Sequence, residues 1–340
     1  MISRRHVLAT AASAALAAPL AGRSARAAVP VRVGIIPIIG AAPVIVLNGE
    51  GWARDAGLNL QFITFESGPN MIQALASGTL DVYVAGVAPL AVARAKGIDV
   101  RVLTATAVEE MVMIAGAKLA AEFKPGVPAA KAIAALHAAS GKPVRLATQP
   151  AGSVPNTTLQ HWLWEVAKAD KGDVEIVPMG IDATQQALLT GAVDGATVRE
   201  PAVTIVTQRD KRLKIVALGG EMFPNQPGTV VAASGAWLAR EPAAAQTLVN
   251  LVVRAVALIK ADPDRAAIPI EAALGKGLID RATIRASLTS PASTFVADPS
   301  TIIEATRAMQ AYQVKLGSLD KEYPLDGLFD PSFYRKALAG

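Results

Sequence analysis

Three observations predict an α/β chain of two related lobes, each a parallel-type sheet with flanking helices. The first is a stretch that occurs twice, Gln73–Asp81 (QALASGTLD) and Gln186–Asp194 (QALLTGAVD), both reading Q-A-L-x-[ST]-G-x-[LV]-D. The second is an upstream match at the same 113-residue spacing, where Val31–Pro37 (VRVGIIP) aligns without a gap on Val144–Pro150 (VRLATQP). Two copies at so long a period indicate a duplicated lobe, not a solenoid. The third is a shared local grammar. Each copy ends a helix on a glycine, Gly78 or Gly191, and then enters a short apolar strand. Strand, helix, strand in this order describes right-handed crossovers in a parallel sheet, whose ligands sit at the carboxyl ends of the strands.

In chain order, Val31–Ile36 reads as the first strand, Pro37–Ala41 as a loop, Ala42–Asp55 as a helix and Leu58–Thr64 as the second strand. Glu66–Asn70 leads into the helix of the first repeat. Ala85–Pro89 follows the third strand and opens a helix over Leu90–Lys96. Val100–Thr106 and Met111–Ala115 read as two more strands of the first lobe. The second lobe starts near Val144, with the loop Gln149–Ser153, a helix over Asn156–Lys168 and a strand at Val174–Val177. Asp182 is the expected cap of the second repeat's helix, with Gln185 three residues on. Leu213–Leu218 is a further strand, and Thr229–Ser234 reads as a strand returning to the first lobe. From Glu241 onward the spacing is helical, and these helices are expected to pack on the first lobe. The boundaries are then 28–116 for lobe 1, 117–216 for lobe 2, and 217–340 for the return and the C-terminal helices. No low-complexity linker separates the lobes, so a two-strand hinge of paired extended segments is expected.

Residues 1–27 read as an export signal. Ser3-Arg4-Arg5-His6-Val7-Leu8 resembles a twin-arginine motif, Ala9–Leu20 is apolar but shorter than a membrane span, and Ala25-Arg26-Ala27 fits a cleavage site. A Sec-type signal is the alternative; either directs the chain to the periplasm. Arg4, Arg5, Arg23 and Arg26 are four of the 33 basic side chains, and the segment has no acid. The remainder therefore carries 29 bases against 28 acids, and the formal charge of +5 gives no support for nucleic-acid binding. Without cysteine, neither disulfides nor Cys-based metal sites are possible.

No P-loop, H-E-x-x-H, G-x-S-x-G or G-x-G-x-x-G is present. The histidines are His6, His137 and His161, and nothing pairs one with an evident nucleophile, so no catalytic residue, metal site or cofactor is expected. The predicted strand-end loops are instead rich in Gly, Ser, Thr, Asn and Gln. Gly68, Gly86, Gly152 and Gly180 permit close approach of a ligand; Ser67, Gln149, Ser153, Asn156 and Thr157 offer neutral hydrogen bonds. The helix N-termini behind them favour a small anion. Ser153 and Asn156 read equally well as simple helix caps. In Arg199-Glu200-Pro201, Arg199 is suited to facing an anion and Glu200 to accepting from an amine or hydroxyl; a supporting Arg–Glu pair is the other reading.

Taken together, the N-terminal signal, V-R-V-G-x-x-P, F-E-S-G-P, Q-A-L-A-S-G-T-L-D, A-G-V-A-P, A-T-Q-P-A-G-S and V-R-E-P resemble the periplasmic substrate-binding proteins of the nitrate/sulfonate/taurine ABC-transporter group, over Val31–Ser234. The resemblance implies a two-lobed type II periplasmic binding fold. It also implies a small-molecule solute held between the lobes, a membrane permease as partner, and a monomer. It places ligand contacts on Ile38, Ile39, Gly40, Ala41, Ser67, Gly68, Val87, Ala88, Gln149, Gly152, Ser153, Arg199 and Glu200. Members often carry Trp where this chain has Arg199, a departure that points from sulfonates towards a carboxylate or a larger anion. The expected function is therefore capture of a solute such as a sulfonate, nitrate or carboxylate. The competing expectation is an enzyme on the same fold acting on a small heterocycle or carboxylate.

Overall fold

The computed structural model describes residues 28–275, 277 and 279–339, so the proposed signal lies outside the described residues. The described residues form twelve strands: β1 (Val29–Ile35), β2 (Leu58–Thr64), β3 (Val82–Gly86), β4 (Val100–Ala105), β5 (Ala107–Val108), β6 (Val112–Ala115), β7 (Val144–Thr148), β8 (Val174–Pro178), β9 (Gly195–Val198), β10 (Lys214–Leu218), β11 (Thr229–Ser234) and β12 (Thr294–Phe295). They form two five-stranded sheets, ordered β2-β1-β3-β11-β4 and β10-β6-β9-β7-β8, and a small β12-β5 pair. Each large sheet has four strands running in one direction and a single antiparallel strand, β11 in the first and β6 in the second, set between the three adjacent parallel strands and the fourth.

The duplication is visible in the register. Val33 pairs with Val82 between β1 and β3, and Leu146 pairs with Gly195 between β7 and β9, each partner displaced by 113 residues. The repeated aspartate explains why this register recurs. Asp81 accepts the backbone N–H of Arg32 at 3.0 Å, and its own N–H donates to Arg32 O at 2.9 Å. Asp194 makes the same exchange with Arg145, at 2.9 and 2.8 Å. Each copy thus pins the start of its third strand beside its first. The preceding glycines, Gly78 (φ 71°) and Gly191 (φ 70°), take the left-handed turn that ends each helix.

The two clasps differ in strength. Arg32 adds Nε and Nη2 bonds to Asp81 at 2.8 and 2.7 Å, and Arg240 approaches at 3.4 Å. The Asp81 side chain is 5% exposed. Burial pushes its carboxyl up, but the Arg32 guanidinium and N–H, with Arg240, outweigh burial and hold it below the usual carboxylate range. In the second lobe the Arg145 guanidinium instead donates to Ala192 O at 2.7 Å.

Several elements differ from the sequence expectations. The helix Ala42–Gly49 is interrupted at Gly51 before a short turn, Trp52–Asp55. The helix Ile181–Thr190 is capped at Gly180, with Asp182 inside its first turn and no side-chain cap. The helix expected over Asn156–Lys168 is α-helical only over Val154–His161 and widens into a π turn over Trp162–Val166. Lobe 1 ends earlier than the boundary at 116, because β6 pairs antiparallel with β9 in the second sheet. The chain crosses at 109–111 and returns at 226–228. The crossings are paired, with Glu109 N–H donating to Gln226 O at 3.0 Å and Met111 N–H to Gln226 Oε1 at 3.2 Å.

The first lobe has one continuous core around its sheet, into which Leu248, Val252 and Val256 of the helix Pro242–Ala261 are buried. That helix is long and apolar enough to cross a membrane, but it packs against Ala42–Gly49 and Ser332–Ala339. Of the other C-terminal helices, Pro263–Ile270 packs on Ala42–Gly49 of lobe 1 as expected, and two more reach beyond lobe 1. Arg281–Leu288 packs on Ala202–Arg209 of lobe 2, and Ile303–Lys315 lies across Ala88–Ala95 of lobe 1 and Val154–His161 of lobe 2. Apolar residues exposed on those lobe-2 faces (Ala292 and Tyr312 cover them) required a partner that one sheet's periodicity does not identify.

Asp81→Asn is expected to cost on the order of 2 kcal/mol in urea unfolding, and Asp194→Asn less, because charge-assisted bonds weaken with exposure. A lowered carboxyl value stabilises the fold above the unfolded value near 3.9, and the gain is lost as pH falls through the folded value. Asp81→Asn should therefore flatten the acid limb of the stability profile.

Candidate functional site

The two sheets present the carboxyl ends of their parallel strands to each other, so the loops after β1, β2 and β3 meet those after β7, β8 and β9. Contact between them is direct. Ile39 N–H donates to Glu200 O at 2.8 Å, and Ile181 N–H to Glu66 O at 3.4 Å. Two glycines make this approach possible. A Cβ on Gly86 would meet Val154 Cγ2 at 2.8 Å, and one on Gly180 would meet Glu66 Oε2 at 2.9 Å. The sequence marked both as points of ligand approach; the groups that approach them belong to the opposite lobe.

Arg199, at the exit of β9, is 2% exposed and donates through Nη1 to Glu110 Oε1 at 3.2 Å and through Nη2 to Gln149 Oε1 at 3.4 Å. Glu110 is 3% exposed, and the same oxygen accepts from Thr229 Oγ1 at 2.6 Å. Glu110 therefore joins the crossing segment, the first sheet through β11 and the second through Arg199. Its Oε2 has no hydrogen-bond partner among the described residues and faces Gly40, where a Cβ would collide with it. Sequence reading missed Glu110, which lies 89 residues from Arg199 beside an ordinary strand and carries no motif.

Glu200 is engaged within the protein. Its carboxylate accepts from Thr204 N–H and Thr204 Oγ1, both at 3.0 Å, which closes the first turn of the helix Ala202–Arg209. Burial pushes its carboxyl above the usual range, against the hydrogen bonds from Ser290, Thr204 and Ser287 that favour the charge. Both oxygens are thus engaged within the protein. Ser153 caps its helix by accepting Asn156 N–H at 3.3 Å, and Gly152 takes φ 80°.

Ile38, Ile39, Gly40 and Ala41 form a buried turn. Ser67, Gly68, Val87, Ala88 and Gln149 are also buried where the lobes meet, and Ser67 Oγ has no partner among the described residues. Beside this polar centre opens a cleft of about 1080 Å³. Lobe 1 contributes Ile35, Pro37 and Glu66; lobe 2 contributes Ile181, Arg199 and Ala202; Glu271, Leu274, Ile279 and Arg281 belong to a third wall. Of the expected ligand residues, Arg199 lines this cleft, while Ile39, Gly40 and Glu200 line a small gap beside Glu110. The third wall was not anticipated, since the C-terminal helices were assigned to lobe 1. The two histidines among the described residues lie elsewhere: His137 Nδ1 is 2.6 Å from Asp173 Oδ1, and His161 Nδ1–H donates to Met222 O at 2.8 Å.

A carboxyl raised by burial loses stability as pH rises from its unfolded value, near 4.3, through its folded value. Glu200→Gln keeps an acceptor for Thr204 and removes this titration. Its melting temperature is expected to fall less than that of the parent between pH 4.5 and pH 7, about two decades around that window, read by calorimetry.

A protein of Bacillus subtilis (strain 168), provisionally named an aliphatic sulfonates-binding protein, is 23% identical over 320 residues, 91% of this chain and 88% of that one. The nitrate import ATP-binding protein NrtC of Synechococcus elongatus is 24% identical over 227 residues, 66% of this chain; the match spans only 34% of that relative's length. Among solved structures, the periplasmic nitrate-binding protein NrtA from Synechocystis PCC 6803 has a TM-score of 0.77 at 15% identity, covering 92% of this chain and 89% of that one. The last likeness establishes the periplasmic-binding-protein fold. Residues 24–273, well over half of the sequence, match the NMT1-like family, and the chain belongs to that family.

Proposed function

We propose that the chain is the exported solute-binding component of an ABC importer. It captures a small anionic solute, such as a sulfonate, nitrate or carboxylate, between its lobes and delivers it to a membrane permease. The observation that carries this reading is the cleft of about 1080 Å³ between facing strand ends, with Arg199 on its lining. The names of the relatives, all parts of nitrate or sulfonate systems, support the same class of solute and a periplasmic location. Residues 1–27, a twin-arginine or Sec-type signal in this reading, would direct export, and the working form would be a monomer.

In this mechanism the paired crossings at 109–111 and 226–228 are the hinge. A solute that touches both lobes has higher affinity for the closed arrangement and shifts the population towards it. The loops Ile38–Ala41, Ser67-Gly68, Val87-Ala88, Gln149 and Gly152-Ser153 close around it, and Arg199 meets its charge. Glu200 acts from behind, by holding the turn that places Arg199. The helix Ile303–Lys315 steadies the approach: Tyr312 O–H donates to Gln160 O at 3.0 Å and Gln313 Nε2 to Gly152 O at 3.1 Å. An enzyme on this fold would need a nucleophile and base at the cleft, and neither histidine of the described residues lines it.

The test is a thermal-shift screen against sulfonates, nitrate, carboxylates and aromatic acids. A solute at 100 times its Kd adds about 2.7 kcal/mol of stability. Arg199→Ala strands Glu110 in the interior at a cost of about 3–5 kcal/mol, so the binding test uses Arg199→Lys. Lysine keeps the charge but loses the planar fork, and an affinity loss of about tenfold is expected. A flat screen over a cooperatively folded protein would refute the reading.

A further inference from the structure

Arg199 lines the cleft, yet the charge of its guanidinium is already met. Glu110 lies 3.2 Å from it, both side chains are almost fully buried, and Thr229 Oγ1 holds the carboxylate in place at 2.6 Å. At such burial the carboxylate and an incoming anion compete for one positive charge with little screening by solvent. Among the described residues, the rest of the lining adds little unpaired positive charge: Arg281 is paired with Glu271 at 2.9 Å, and Arg209 stands beside Glu66, Asp182 and Asp280. What the lining does offer is apolar surface: Ile35, Ile181, Ala202, Ile205, Leu274 and Ile279.

We propose that Glu110 is a specificity-determining residue, an internal competitor for Arg199 that excludes small inorganic oxyanions and reserves the cleft for organic acids with an apolar body. The inference rests on the solute-binding reading and selects among its solutes. An inorganic oxyanion has only its charge to set against the Glu110 carboxylate. An organic acid adds the burial of its carbon skeleton, about fourfold in affinity for each methylene removed from water. The volume fits this class, since a cleft of about 1080 Å³ leaves most of its apolar lining untouched by an ion of four atoms. Glu110 touches the cleft through Arg199, so it sets selectivity without contacting the apolar body of the solute.

Titration calorimetry of the purified chain with nitrate, butyrate, hexanoate and octanoate, repeated on Glu110→Gln, tests this. Glutamine keeps an acceptor for Thr229 and Arg199 but removes the competing charge. In the parent, affinity is expected to climb from butyrate to octanoate by about fourfold per methylene, with no measurable nitrate binding. In Glu110→Gln every anion should gain about tenfold or more, and nitrate binding should become measurable. If that variant gives no cooperative melt, Glu110→Asp, which withdraws the carboxylate from Arg199, carries the same test with a smaller gain. Nitrate bound by the parent as tightly as hexanoate, or no gain in the folded variant, would overturn the inference and leave the solute-binding reading standing. Silence from all four probes in both proteins would also sink it, while the broader solute screen decides the parent reading separately.

Discussion

A single buried ion pair, Arg199 with Glu110, occupies the point where everything else in the molecule meets. Two charges removed from water are costly, and their attraction repays the cost only when geometry and extra hydrogen bonds are good. Here the extra bonds come from both sides, Thr229 on the first sheet and Gln149 on the second. The pair therefore ties the relative position of the sheets to its own satisfaction. Glu110 sits on the crossing itself, so a rotation of the lobes changes the surroundings of this carboxylate. A solute that engages Arg199 acts on the same balance.

The duplicated lobe supplies the frame around this centre. The Asp81–Arg32 and Asp194–Arg145 exchanges set the strand register in both copies, and that register aims the loop after the third strand at the opposite lobe. The copies have since been used differently. Lobe 1 carries the deeper clasp and receives the long helix Pro242–Ala261, so it is the broad base. Lobe 2 has its core divided on the two faces of its sheet, and its outer surface is covered by helices that arrive from the C-terminal part of the chain.

Those helices change the meaning of the cleft. Residues 271–275 and 279–281 line one side of it, and Ile303–Lys315 straddles both lobes. Glu200 belongs to this arrangement, since its carboxylate organises the helix Ala202–Arg209, against which Arg281–Leu288 packs. The expectation that Glu200 meets the solute came from its neighbour Arg199. Adjacent residues at a strand exit commonly point apart, and here one turns to the cleft and the other to the helix behind it.

By itself the sequence determined the duplication, the α/β class and the strand-end loops that meet between the lobes, among them the one that carries Arg199. These follow from local signals: apolar runs, helix-ending glycines and a repeated aspartate whose partner lies 49 residues away in each copy. Tertiary structure alone decided that β6 belongs to the second sheet, that the C-terminal helices wall the cleft and bridge the lobes, and that Glu110 neutralises Arg199. A strand of four apolar residues pairs as well in either sheet, and its choice depends on which edge the crossing presents. A buried carboxylate 89 residues from its guanidinium leaves no periodic trace, because the cost of desolvating it is met only after both lobes have folded around it.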